Sequence, residues 1–221
     1  MKRTIYIIGE DHLKRDESDQ KLDTLGQSIV FDEHHTSMKR GSANLSTVPT
    51  PLVYGKLEKL FWLLYHVARI KEEVTEKTVE MIPMLVADIF DDTMSIEEIA
   101  PQLPKFVVRC KKEIIASCTE IGPNEQTDTI MAYITPLKFS TLVVDSAFST
   151  AFYATYVLVD KAIVSNIQRE DEKQDPHLPF VVILGEDHVP SIRKLLKDFN
   201  VYMYNAKGKR KRTRRKRRVT Y

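Results

Sequence analysis

The same tetrapeptide closes a β-rich run at both ends of this chain. Thr4-Ile5-Tyr6-Ile7-Ile8 runs into Gly9-Glu10-Asp11-His12, and Phe180-Val181-Val182-Ile183-Leu184 runs into Gly185-Glu186-Asp187-His188. Unbroken apolar runs of this kind, without polar alternation, fit strands buried on both faces, which is how parallel sheets are built. Two of them, at opposite ends of the sequence and finished alike, predict one sheet made from both chain ends.

The stretches between agree. A polar helical segment from about Asp16 to Leu25 separates the first run from a second, Ser28-Ile29-Val30-Phe31, in the β-α-β rhythm of a parallel sheet. Residues 36–52 are small, polar and punctuated by proline, as in a surface loop. From about 52 to 168 the pattern turns helical. Leu52, Leu57, Leu60, Leu64, Val67 and Ile70 recur at helix spacing, Ser95-Ile96-Glu97-Glu98 is a capping box, and a long helix is expected over Leu137–Arg169 with Val143, Ala147, Ala151, Ala154 and Leu158 on its apolar face. An amphipathic helix, Val189–Phe199, and a β-rich Val201–Tyr204 follow the last strand. The expected architecture is α/β: a mostly parallel sheet in a single domain, 1–206, with a helical insert at about 52–168 and a disordered basic tail, 207–221.

Composition narrows the class. With 221 residues, 43% hydrophobic and 29% charged, the chain can bury one good core and is not disordered throughout. Its longest uncharged apolar stretch, Ser146–Val159, falls short of the roughly 20 residues a bilayer-spanning helix needs, so no membrane partner is expected. The apolar run behind Met1-Lys2-Arg3-Thr4 is too short for a secretory signal, and the two cysteines, Cys110 and Cys118, lie eight residues apart on a helical segment. At about 1.5 Å per residue they are out of disulfide reach, which fits an intracellular, reducing compartment. Neither a P-loop nor a G-x-G-x-x-G occurs, so nucleotide binding by those routes has no support.

Chemistry gathers at the strand ends. In parallel sheets the loops after the strands leave a crevice while the strands hold its side chains rigidly. If the two GEDH strands are neighbours, His12 and His188 reach the same edge, and Ser28–Phe31 delivers Asp32-Glu33-His34-His35 there as well. His12, Glu33 and His188 then form the two-imidazole, one-carboxylate set of a catalytic divalent metal ion. Asp11 and Asp187 suit caps of the helices that follow, leaving Glu10 and Glu186 to face the site as ligand or general base. The glycines are expected to let the backbone turn sharply at the lip and come close to whatever sits there. Elsewhere the plainer reading holds: His66 packs in a core beside Trp62, Leu63 and Leu64; Asp88, Asp91 and Asp92 end a helix; His177 is a loop residue.

Two G-x-x-H motifs, Gly9-Glu10-Asp11-His12 on the first strand and Gly185-Glu186-Asp187-His188 near the C-terminus, with Glu33 after the second strand and a helical insert between, resemble the TraB/Tiki family. The wider fold superfamily includes ChaN-like and erythromycin-esterase-like proteins, and the Gly-Glu-x-His form of the first motif is similar to the ChaN-like branch. The segment Val181–Leu196 is the closest local match. The likeness covers the topology of residues 4–204, while specific motifs cover about thirty of them. It implies a metal-dependent protease on the Tiki branch, and haem binding or ester hydrolysis on others. One position departs: where the family carries an arginine on the helix before the last strand, Val159–Val164 offers Asp160 or Lys161. If that arginine stabilises an oxyanion, Lys161 or another cation must do so here.

The tail points to a partner. Residues 207–221 hold ten of the 33 Lys and Arg and no acid, leaving 23 bases against 31 acids, a net −8, over residues 1–206. Lys209-Arg210-Lys211-Arg212 and Arg214-Arg215-Lys216-Arg217-Arg218 are dense enough to neutralise phosphates by counterion release, or to engage a nuclear import receptor. No aromatics are interleaved, which argues against base stacking, and the tail could instead fold back on the acidic body. Two functions from different classes follow. The first is a metal-dependent hydrolase acting on a peptide or small molecule. The second is a non-catalytic binding module of the same fold, carried to nucleic acid or the nucleus by its tail.

Overall fold

The computed structural model describes residues 2–10, 25, 28–32 and 52–203, with the backbone alone for Glu10 and Asp32. The helix expected from Asp16, the loop expected from Thr36 and the tail lie outside the described residues. In chain order the elements are β1 (Thr4–Glu10), β2 (Ile29–Asp32), α1 (Leu52–Glu72), α2 (Glu76–Phe90), α3 (Ile96–Ile99), α4 (Leu103–Ile121), α5 (Glu125–Ile134), α6 (Ser146–Asp171), β3 (Phe180–Gly185), α7 (Val189–Leu195) and β4 (Asn200–Met203). Short 3-10 turns occupy Ala100–Gln102, Phe139–Thr141 and Glu186–His188. The fold is α/β, and no helix among the described residues is long and apolar enough to cross a membrane. The sequence reads as one domain with an insert; the insert is a compact unit in its own right, Pro51–Ala162, and the two chain ends, Met1–Thr50 and Ile163–Tyr221, form the other.

In the sheet unit all four described strands are parallel, in the order β2-β3-β1-β4. The two central strands are the two GEDH strands. Every residue of β3 is buried, and Ile5, Ile7 and Ile8 of β1 have no exposed surface, which is why both read as unbroken apolar runs. Phe31 packs on Phe180 with ring centroids 5.0 Å apart.

Arg3, within the basic start of the chain, is buried just ahead of β1. Its guanidinium reaches into the connection between α6 and β3. Nε donates to the Asp171 carboxylate, Nη1 to the carbonyls of Asp175 (2.7 Å) and Leu178 (2.9 Å), and Nη2 to those of Asp171 (3.1 Å) and Gln174 (3.0 Å). The Phe180 ring lies 4.1 Å beneath it.

The helical unit packs around α1. Leu57, Leu60, Phe61, Leu64, Val67 and Ala68 are buried at helix spacing, whereas Leu52, at the first position of the helix, is 78% exposed. Phe61 stacks on Phe152 (5.8 Å, 16°), and Trp62 meets Phe152 edge-on (5.1 Å, 90°). The Ser95 capping box forms as expected: the Ser95 amide donates to Glu98 Oε2 (2.8 Å) and the Glu98 amide to Ser95 Oγ (3.4 Å). Asp91, at φ 57°, ends α2 in the left-handed region. Cys110 and Cys118 are buried free thiols, pushed up to about 12 and about 11 by burial.

The helix expected from Leu137 starts later, at Ser146. Asp145 caps it by accepting from the Phe148 amide (2.8 Å), so Val143 precedes the helix and its buried face begins at Phe148 and continues through Ala151, Ala154 and Leu158. The helix after β3 ends early as well, at Leu195.

Because Arg3 is buried and all its donors are used, truncating it strands several carbonyls at once. Arg3→Ala should weaken the sheet unit by about 3 kcal/mol and Arg3→Lys by about half that, since an ammonium cannot form the fork. Amide hydrogen exchange across Phe180–Gly185 measures this; unchanged protection would show the fork to be dispensable.

Candidate functional site

Parallel pairing sends the C-terminal ends of β2, β3 and β1 to one edge of the sheet. Ile8 pairs with Ile183, Gly9 with Leu184 and Glu10 with Gly185, while Asp32 of β2 pairs with Ile183. The three strand ends expected to converge therefore do so, within a step or two of one another in register. Of the residues that follow them, His12 and Glu33, with Asp11, lie outside the described residues, as do Lys209, Arg210, Lys211, Arg212, Arg214, Arg215, Lys216, Arg217 and Arg218.

The end of β3 is described in full. Gly185 closes the strand, Glu186-Asp187-His188 form one 3-10 turn, and α7 starts at Val189 with Pro190 in its first turn. The turn separates its side chains by exposure. Glu186 and Asp187 are exposed, while His188 is only 2% exposed, so the imidazole is fixed at the strand end and the carboxylates meet solvent. Asp187 does not cap the helix as expected: neither the turn nor α7 has a side-chain cap, because Asp187 sits inside the turn and proline takes the place where a capped amide would stand.

The two glycines divide the expected roles, Gly185 leading directly into the 3-10 turn and Gly9 allowing a close approach. Gly185 has φ −53° and ψ 141°, and Gly9 lies within β1, so neither makes a left-handed turn. Gly9 is instead a point of close approach. A Cβ built on it would stand 3.3 Å from Glu186 Cγ and 3.4 Å from Val189 Cγ2, tighter than ordinary contact at the first. The bare backbone of the first GEDH copy thus leaves room for the acid of the second. Nothing in one sequence announces this contact, since its partners stand at opposite ends of the chain.

Lys161 belongs to the helical unit. It is exposed, and its Nζ donates to Gln126 Oε1 at 2.8 Å. Its neighbour Asp160 is 2% exposed. Among the described residues no three His, Cys, Asp or Glu side chains gather to hold a metal ion. The described part of the strand-end edge supplies one imidazole, His188, and two exposed carboxylates, Glu186 and Asp187, all of kinds a divalent ion accepts. The other donors of the expected set would come from the residues that follow β1 and β2.

In comparisons with known proteins, no family model, no curated protein and no solved structure matches the chain.

The Gly9 contact makes a measurable prediction. Gly9→Ala should cost under about 1 kcal/mol, because the flexible Glu186 side chain can yield, and Gly9→Val about 2 kcal/mol, because its branches also meet Val189. Adding Glu186→Ala to Gly9→Ala should recover most of the loss in a double-mutant cycle by chemical denaturation; strict additivity would mean the two residues do not touch.

Proposed function

We propose that the edge where β1, β2 and β3 end is the site of a metal-dependent hydrolase of the TraB/Tiki type, with His12, Glu33 and His188 as ligands and Glu10 or Glu186 as further ligand or general base. The observation that supports it is the pairing of the two GEDH strands as direct neighbours, Glu10 across from Gly185, with Asp32 entering the same edge from β2. A divalent ion bound there supplies Lewis acidity and brings the pKa of a water down towards neutrality. His188, buried at the strand end, holds a fixed ring with little freedom to lose on binding. Glu186, exposed on the same turn, can take a proton from a nucleophile and return it to a leaving group of a peptide or small-molecule substrate.

Metal content by mass spectrometry, on protein purified without chelator, tests this reading. Near-stoichiometric metal is expected in the wild type, and none in His12→Ala/His188→Ala or in His12→Gln/His188→Gln, the second pair guarding against a cavity at buried His188. No metal in the wild type would remove the ligand set and the hydrolase with it.

A second reading rests on charge segregation, ten basic residues in 207–221 against a net −8 over 1–206. Here the fold is a binding module and the tail engages nucleic acid or an import receptor. Full-length chain should bind duplex DNA of any sequence, weakening steeply with salt, and a chain ending at residue 206 should lose that binding. Equal binding by both would dismiss the tail as the contact.

A further inference from the structure

The helical unit buries a histidine without giving either ring nitrogen a partner. His66 is 3% exposed, and both Nδ1 and Nε2 are shut from solvent with no hydrogen-bond partner among the described residues. Its ring lies nearly parallel to Trp62 (6.0 Å, 27°) and meets Tyr65 edge-on (5.2 Å, 84°), amid buried Leu63 and Val67 of the same helix. A neutral imidazole already leaves one donor and one acceptor unmet here; protonation would add a second N–H and a full charge.

The charged groups on the surrounding elements offer no rescue. Lys77, at the start of α2, acts on the ring and is itself positive, and Asp88 of α2 holds Lys59. On α1, Glu58 accepts from Trp62 Nε1 and Glu72 pairs with Arg69; on α4, Glu113 pairs with Lys56; ahead of α6, Asp145 caps the helix. Lys71 is turned to the carbonyls of Phe139 and Leu142. Burial first, and Lys77 second, hold the His66 pKa below its ordinary value.

We propose that His66 is an acid-operated latch of the helical unit: neutral, it lies against Trp62 inside the core; protonated, it forces α1 to give way there so that the imidazolium reaches water. Attraction of the cation to the Trp62 and Tyr65 rings returns part of the cost, but aromatic faces do not satisfy two N–H donors. The sign follows from linkage. The unfolded chain, where histidine titrates near its usual 6.5, binds this proton more readily than the folded one. Stability is therefore full above pH 6.5 and falls as pH drops towards the lower folded value, by up to about tenfold in the folding constant per pH unit.

Trp62 is the only tryptophan in the chain, so its emission reports from beside the latch. Denaturant titrations of the full chain, followed by tryptophan fluorescence between pH 7.5 and 5, would compare wild type with His66→Phe and His66→Gln. The wild type should lose more in folding constant between pH 6.5 and 5.5 than either variant, by up to about fivefold, whatever the variants' absolute stability. The same pH dependence in all three would overturn the latch. Should neither variant fold, NMR titration of the wild-type ring decides: protonation at or above pH 6.5 with unchanged Trp62 emission would overturn it equally.

Discussion

The buried guanidinium of Arg3 sets the sheet on which everything at the strand ends depends. A charge can stay in the interior only if its donors are met, and Arg3 meets its five with the Asp171 carboxylate and the carbonyls of Asp171, Gln174, Asp175 and Leu178. Those carbonyls belong to the negative end of α6 and to the turn that follows, so the cation also sits where a helix favours one. Arg3 enters β1 at Thr4, and Phe180, beneath its guanidinium, opens β3 opposite Ile5. The fork therefore fixes register at one end of the central pair. At the other end the same register places Glu10 across from Gly185; a slip of one residue would turn every side chain of β1 to the opposite face.

The order of the chain gives the two units different kinds of contact. β1 lies between β3 and β4, so both of its neighbours come from beyond residue 179. No strand pairing of β1 can form until the whole insert has been bridged, and the closure entropy of that loop must be met before the ladder forms. The helical unit needs no such bridge. Its helices are consecutive from α1 to α5, and three of their starts are fixed by neighbouring residues: Thr75 for α2, Ser95 for α3, and Asn124, whose Oδ1 accepts from the Gln126 and Thr127 amides, for α5. The unit that carries His66 is local in its construction, and the edge that carries His188 is not.

That difference explains what the sequence disclosed. The apolar runs of β1 and β3 announced central parallel strands because burial on both faces leaves no polar position, and the Ser95 box was legible because its partners lie three residues apart. The start of α6 was misplaced because Val143 and Ala147 continue the apolar spacing, and only the Asp145 cap separates a 3-10 turn at Phe139–Thr141 from the helix proper. Arg3 gave no sign of its burial, since its partners are carbonyls and a carbonyl has no letter in the sequence. For the site, the convergence of strand ends could be inferred from topology alone. The contact of Gly9 with Glu186 could not, because it joins residues from opposite ends of the chain.

The two GEDH copies are identical in letters and unlike in position. Pairing puts Gly9 beside Leu184, one residue short of Gly185, so the copies are staggered along the sheet. Glu10 consequently ends a strand, whereas Glu186 opens a 3-10 turn and lies against the bare Gly9 backbone. Such a stagger does not place the two glutamates at equivalent points of the sheet edge. It puts the Glu10 backbone in the ladder and the exposed Glu186 just beyond the end of β3, with a buried imidazole two residues further on. Gly9 is the residue that turns this stagger into a contact, since its missing Cβ lets Glu186 approach the first strand.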